Sequence, residues 1–337
     1  MVLLKYASWL PSFMDKITWG IIGCGNVTEV KSGPAFNLVP DSSLLAVMRR
    51  DETKAADYAE RHHVPKWYSN ATALIQDPEI NAIYIATPPA YHETYALAAL
   101  AAGKHVYIEK PVTLNAASAV RIAEAAKHAS GKLSIAHYRR EQPMFLKIKE
   151  LLDENLIGKV RFVQLQLFQT NSNAMIAPSE SNWRMDPALS GGGLFHDLAP
   201  HQLDLMIYFF GPVKRAQGLS LSQANDTSVD DLVSGQLLFD SGTLFTGTWC
   251  FTVPEGEEKD VCEIIGELGK ISFEVFGSVV TLTVNGEDDY FAFEPLVHVQ
   301  QPMIASVTQY FLGKGENPCS IEEAIRSMEV MDTFTNS

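Results

Sequence analysis

Cysteine is scarce in this chain of 337 residues: four, at 24, 250, 262 and 319, with no CxxC pair and no metal-ligand spacing. That excludes a disulfide scaffold and reads as free thiols in a reducing compartment. Neither His62-His63 nor any acidic cluster has a spacing suited to a metal, so no metal is expected. No apolar run approaches the roughly 20 residues of a membrane span, so no membrane partner is expected. Basic residues are outnumbered, 26 against 40, and the net charge of −14 argues against nucleic acid and anionic membrane surfaces. Repeats and low-complexity linkers are missing, so the parts of the chain should share a substantial interface. The first thirteen residues, MVLLKYASWLPSF, lack a basic leader and a small-residue cleavage site, and Pro11 interrupts them. They are read as an extension, disordered or a misassigned start, with the true beginning near Met14 and a cytoplasmic location.

What is present is the composition of a globular protein, 46% apolar and 20% charged, at a length that suits two domains. Short apolar runs at Ile17–Ile22, Leu44–Met48, Ala82–Ala86, His105–Ile108 and Leu133–Ala136 alternate with helical patterns at Glu52–His62, Tyr91–Ala102 and Ala116–Ala129. Continuous rather than alternating runs belong to strands buried on both faces, and the βαβ rhythm predicts an α/β, doubly wound Rossmann domain over 14–137. Gly33-Pro34 should break or bend its first helix. Over 138–337 the rhythm changes. A helix at about Gln142–Asn155 precedes Arg161–Thr170, where Val163, Leu165 and Leu167 alternate with glutamines. Strands at Leu232–Phe239, Gly242–Phe251, Val261–Ile265, Lys270–Val275 and Val279–Val284 are spaced for antiparallel pairing, and helices near Pro302–Leu312 and Ser320–Met331 follow.

Three blocks carry chemistry. Gly23-Cys24-Gly25 follows a strand and, with Asn26 and Val27, opens a helix, where backbone amides receive a pyrophosphate. Thr28 stands where a third glycine is usual, which loosens the match. The second strand ends Met48-Arg49-Arg50-Asp51, with two arginines where NAD enzymes commonly carry an acid. Guanidinium groups match a 2′-phosphate, so NADP is favoured. The alternative is NAD, with Asp51 on an unphosphorylated ribose and both arginines solvated. Thr87-Pro88-Pro89 should pass beneath the nicotinamide ribose, with His92 in a structural or cofactor-contact role.

The second block is Glu109-Lys110-Pro111, just past an apolar strand. Lys110 is placed to stabilise developing alkoxide charge and orient a substrate, and Glu109 to contact the ribose. In the third, Gly191-Gly192-Gly193 lets the backbone approach cofactor or substrate, and Asp197 and His201 share one helix face. Pro200 is tolerable in a first turn, so this helix should begin close to Asp197. Asp197 is then either a helix N-cap or the partner of His201. His201 is either a buried, hydrogen-bonded histidine or the proton acceptor. His196 faces elsewhere and is discounted as a base. His298 either enters the pocket or packs between subunits.

Taken together, GIIGCGNV (20–27), ATPPAYH (86–92), AGKHVYIEKP (102–111), RREQP (139–143) and NWRMDPALSGGGLFHDLAPHQLD (182–204) resemble the glucose–fructose oxidoreductase, inositol dehydrogenase and rhizopine-catabolism (Gfo/Idh/MocA) family from about Lys16 to Met331. The resemblance implies a C-terminal domain with an open, mostly antiparallel sheet. It implies a catalytic lysine at Lys110, the family's Asp and His at Asp197 and His201, and a substrate-pocket segment at Trp183 and Arg184. A homodimer or homotetramer through that sheet is implied too. The reading is an NAD(P)-dependent oxidoreductase, NADP favoured, that interconverts hydroxyl and carbonyl on a sugar, polyol or related cyclic substrate. The rivals are an NAD-dependent redox-assisted glycosidase of the same family and a non-catalytic nucleotide or sugar sensor.

Overall fold

A computed structural model describes residues 15–170, 183–224 and 229–335; the expectation for residues 1–13 lies outside the described residues. The first sheet holds β1 (Ile17–Ile22), β2 (Ser42–Met48), β3 (Lys66–Tyr68), β4 (Ala82–Ile85), β5 (His105–Glu109) and β6 (Leu133–Ala136). All are parallel, in the order β3-β2-β1-β4-β5-β6. Between them run α1 (Asn26–Glu29), α2 (Ala35–Leu38), α3 (Glu52–Arg61), α4 (Ala71–Gln76), α5 (His92–Ala101) and α6 (Ala116–His128). Every residue of β4 and β6 is buried, as strands covered on both faces require. The break expected at Gly33-Pro34 is present: α1 ends before it, and Pro34 caps α2.

The second sheet has eight strands: β7 (Val160–Phe168), β8 (Val213–Leu221), β9 (Leu232–Phe239), β10 (Leu244–Cys250), β11 (Lys259–Gly266), β12 (Gly269–Phe273), β13 (Val279–Val284) and β14 (Glu287–Ala292). Its order is β14-β13-β12-β11-β7-β10-β9-β8, and every pair except parallel β7–β10 is antiparallel. The remaining helices are α7 (Pro143–Asp153), α8 (Pro187–Ser190), α9 (Gly193–Phe210), α10 (Gln301–Phe311) and α11 (Ile321–Thr335). Three strands depart from the sequence reading. β3 is too short to show a period, β8 reads as polar, and β14 opens Glu287-Asp288-Asp289, charges that suit a sheet edge and resemble a turn.

α9 corrects a sharper expectation. It begins at Gly193, not near Asp197, and carries Pro200 inside it. Pro200 has no N–H for the carbonyl four residues back, a loss of about 3 kcal/mol. Burial of Phe195, Leu198, Ala199, Leu203, Leu205 and Met206 outweighs it. Gly192 is the N-cap, so Asp197 is not. The glycine run serves this turn: a Cβ on Gly192 would lie 2.3 Å from His196 Nδ1. α9 packs on the second sheet, where Trp249 Nε1 donates to Gln202 Oε1 at 3.0 Å.

Gly218, Gly235 and Gly247 stand side by side across β8, β9 and β10. The ring of Phe334, from α11, fills the trench at Gly218 and Gly235, where a Cβ would come within 2.7 and 2.3 Å of it, and Trp249 and Phe245 fill it at Gly247. The same helix reaches the first sheet's side, where Asp332 Oδ2 accepts the Ala116 amide at the start of α6, at 2.9 Å. Among the described residues no helix is long and apolar enough to cross a membrane, and no group of three or more His, Cys, Asp or Glu could hold a metal ion.

Candidate active site

A cavity of about 350 Å³ lies past the carboxyl ends of β1, β2, β4 and β5, closed over by the Trp183–Met185 turn, α9 and Phe276. Carboxyl ends of parallel strands, where the strand order reverses, are where such sheets bind ligands. Gly23, Gly25, Asn26, Val27, Arg49, Arg50, Thr87, Pro88, Glu109, Lys110, Trp183, Arg184, Asp197 and His201 all line it; His92 and His298 do not.

One wall is largely backbone. The amides of Gly23 and Cys24 both donate to the Met48 carbonyl, at 2.9 and 3.2 Å, pinning the turn to the end of β2. The amides the turn has to offer a phosphate are therefore those of Gly25, Asn26 and Val27. Gly23 has φ +97, and a Cβ there would sit 2.8 Å from the Thr87 amide nitrogen. Gly25 is different: its φ of −127 is open to any residue, and a Cβ would meet nothing nearer than Gly23 O at 3.9 Å. Nothing among the described residues demands glycine there, whereas a nucleotide pressed against the turn would. The residues present fit a dinucleotide on this ground. Thr28, in place of the third glycine, is fully buried and satisfies its hydroxyl on Gly25 O at 2.8 Å.

Past β2, Arg49 and Arg50 line the cavity, with the Arg50 guanidinium 5.1 Å from the Tyr91 ring centroid. Asp51 turns away to cap α3, accepting the Lys54 amide at 3.1 Å. His92 is fully buried, with Nε2 2.7 Å from Thr87 O and Nδ1 3.1 Å from Pro111 O. Burial takes its pKa down to about 4 against the pull of those carbonyls. It clasps the two loops that follow β4 and β5, a structural role that leaves neither nitrogen for a cofactor. Glu109 lines the cavity with its oxygens already engaged, Oε1 by Tyr84 and Gln300 Nε2 and Oε2 by the Lys110 amide, and burial raises its pKa. His298 does not line the cavity; its Nδ1 lies 2.5 Å from Val30 O.

The other wall is made of side chains. Lys110 Nζ donates to the Asp197 carbonyl at 2.7 Å and to Asp197 Oδ1 at 2.9 Å. Arg184 Nε donates to Asp197 Oδ2 at 2.7 Å, with its guanidinium 4.5 Å from the Trp183 ring centroid. All three side chains are 11–15% exposed. Burial alone would raise the Asp197 carboxyl, but Lys110 and Arg184 outweigh it and hold it well below the usual carboxylate range. An ammonium has three donors, so Lys110 keeps one N–H for a ligand oxygen.

The expected Asp197–His201 partnership is not what forms, because Asp197 gives both oxygens to cations. His201 instead packs edge-on to Tyr138 and Phe276, and its buried Nδ1 has no hydrogen-bond partner among the described residues. Burial first, then the charges of Lys110 and Arg139, push its pKa well below 6.5. The imidazole is neutral at pH 7. Tyr138, Arg139 and Phe276, not singled out in the sequence, complete this wall. A usable signal existed in Arg139-Arg140, two arginines just past the buried strand β6. Arg140 is spent on structure, with Nε and Nη2 2.8 and 2.7 Å from the two oxygens of buried Asp204. Arg139 faces the cavity.

A backbone cradle beside a lysine, a clamped carboxylate and a neutral histidine defines an NAD(P)-binding oxidoreductase, and comparison with known proteins agrees. The family model described as "Oxidoreductase family, NAD-binding Rossmann fold" matches residues 17–137, and that of the GFO/IDH/MocA C-terminal domain matches 145–272. Oxidoreductase P35 of Formosa agariphila is 51% identical over 320 residues, 95% of this chain and 98% of that one. The aldose-aldose oxidoreductase of Caulobacter crescentus, solved with glycerol, superposes with a TM-score of 0.82 at 23% identity, covering 95% of this chain and 96% of that one. Levoglucosan dehydrogenase, solved with NADH and levoglucosan, gives 0.81 at 19% with the same coverage. The two solved structures speak to the fold alone. The chain belongs to the Gfo/Idh/MocA family of oxidoreductases.

Proposed function

We propose that this chain is an NADP-linked oxidoreductase that interconverts a hydroxyl and a carbonyl on a sugar, polyol or related cyclic substrate. The observation that carries the reading is the remaining N–H of Lys110, fixed by Asp197 in a cavity it shares with neutral His201. A nicotinamide, when bound, supplies the acceptor or donor of hydride. The Gly25–Val27 turn would hold the pyrophosphate, Arg49 and Arg50 the 2′-phosphate, and Thr87-Pro88 the adjoining ribose. In the oxidative direction Lys110 donates to the substrate oxygen and stabilises the charge that builds there. His201 takes the hydroxyl proton; its Nδ1 is sealed in the protein, so Nε2 is the accepting atom. Arg184 keeps Asp197 ionised, and Asp197 keeps Lys110 aimed. Trp183 adds an apolar face beside them.

The substrate class takes support from two sequence relatives: the trans-1,2-dihydrobenzene-1,2-diol dehydrogenase of Mus musculus, 28% identical over 80% of this chain, and the 1,5-anhydro-D-fructose reductase of Ensifer adhaerens, 25% identical over 67%. Leu219, Leu221, Leu244 and Val261, each at least 40% exposed on the second sheet, support self-association through that sheet into a homodimer or homotetramer. Four cysteines outside any disulfide suit the cytoplasm.

The test is titration of the purified protein with NADPH and NADH at fixed salt, followed by nucleotide turnover with candidate sugars. NADPH should bind roughly tenfold tighter, about 1.4 kcal/mol. Equal or tighter NADH binding refutes the assignment of Arg49 and Arg50. Sugar release without net nucleotide turnover identifies a glycosidase instead.

A further inference from the structure

We infer that the substrate carries a carboxylate and that Arg139 binds it, which makes the site one for sugar acids rather than neutral sugars. The inference rests on the oxidoreductase reading above and deepens it. In a chain of net charge −14, the described residues lining the cavity include six cations, Lys31, Arg49, Arg50, Lys110, Arg139 and Arg184, against two acids. A dinucleotide brings phosphates for the cations on its own wall. On the opposite wall Lys110, Arg139 and Arg184 share one carboxylate, Asp197, and Lys110 and Arg184 take both of its oxygens. Glu109 is on neither account, since its oxygens are held by Tyr84, Gln300 and a backbone amide.

Arg139 is left over. Its Nη1 donates to Val275 O at 2.7 Å and to Gln142 Oε1 at 3.4 Å, which fixes the group. The guanidinium lies 4.4 Å from the Phe276 ring centroid and is flanked by Tyr138 and Phe145. Among the described residues its buried Nε makes no hydrogen bond, and Nη2 makes none. The acid beyond it, Asp260, turns its oxygens to the amides of Val275 and Phe276, at 3.1 and 2.6 Å. With Nη1 fixed, the guanidinium held against the Phe276 ring and Nε sealed in the protein, Nη2 is the donor left for an anionic oxygen in the cavity. A buried cation without a partner is costly in the free enzyme, and a carboxylate removes that cost on binding. It also offsets one of the charges that keep the neighbouring His201 from taking a proton.

The experiment compares the wild-type protein, at saturating nucleotide, on pairs that differ in the acidic group: D-glucuronate with D-glucose, and D-galacturonate with D-galactose. Glucose 6-sulfate is the non-planar anion control. The hexuronates should be favoured in kcat/KM by roughly tenfold or more, mainly through KM, and Arg139→Gln should bring the ratio close to one. Equal or better turnover of the neutral sugars overturns the inference and leaves the oxidoreductase reading standing. So does a ratio unchanged in Arg139→Gln, or preference for the sulfate over both. If Arg139→Gln does not fold, the wild-type ratio decides alone. No turnover of either hexuronate by protein that binds nucleotide also overturns the inference.

Discussion

The two walls of the cavity reach their chemistry by different means. The nucleotide wall is a backbone turn pinned by two amides on Met48, beside loops after β4 and β5 that His92 holds together. The facing wall is a chain of charges in which Lys110, Asp197 and Arg184 each depend on the next. A backbone wall is indifferent to most side chains and intolerant at a few glycines. A charged wall fails as a unit, because removing one member leaves a buried partner uncompensated.

That contrast breaks first at Lys110. Lys110→Ala should lower kcat/KM by roughly a thousandfold while nucleotide affinity changes by less than about threefold. Steady-state kinetics beside nucleotide fluorescence titration checks both numbers, and a comparable loss of nucleotide affinity would erase the distinction between the walls. Acid probes the supports behind the walls through two buried histidines, His92 and His137, the latter with Nδ1 3.6 Å from Asp204 Oδ1. His92 and His137 have folded pKa values of about 4, lowered chiefly by burial. The unfolded chain takes up their protons near pH 6.5, so stability is full above that value and falls as pH drops toward 4, by about 3 kcal/mol for each. Thermal melts from pH 7 to 4.5 should show the decline; a flat melting temperature would refute it.

Two glycines then sharpen the comparison within one turn. Gly23→Ala should cost about 1–3 kcal/mol of stability, through its φ of +97 and the crowding at Thr87. Gly25→Ala should stay within about 0.5 kcal/mol in denaturant melts. It should nonetheless weaken nucleotide binding by roughly tenfold or more. Equal losses of stability would mean that both glycines serve the fold.

The same division decides what was legible in the sequence. Buried parallel strands such as Ile17–Ile22 and Leu133–Ala136 stand out because continuous apolar runs mark double-sided burial. Edge strands such as β14 do not, since a charged edge and a turn share a composition. The start of α9 was misjudged because a local rule about Pro200 was outweighed by tertiary burial. At the site, spacing along the chain brought out Lys110, Asp197 and His201, which the cavity gathers together. It could not show that Asp197 turns to Lys110 and Arg184, since that choice is made between β5 and α9 in three dimensions. Nor could it separate Arg139 from Arg140, neighbours in sequence with opposite assignments: one in the cavity, the other locked to Asp204.

The trench of Gly218, Gly235 and Gly247 also orders events in time. At Gly247 the space is taken by Trp249 and Phe245 of β10 itself, but at Gly218 and Gly235 it is taken by Phe334, which is translated long after those strands. While the ribosome is still making α11, that part of the trench lies open. Both halves of the molecule wait for the last helix, since Asp332 on it also holds the start of α6.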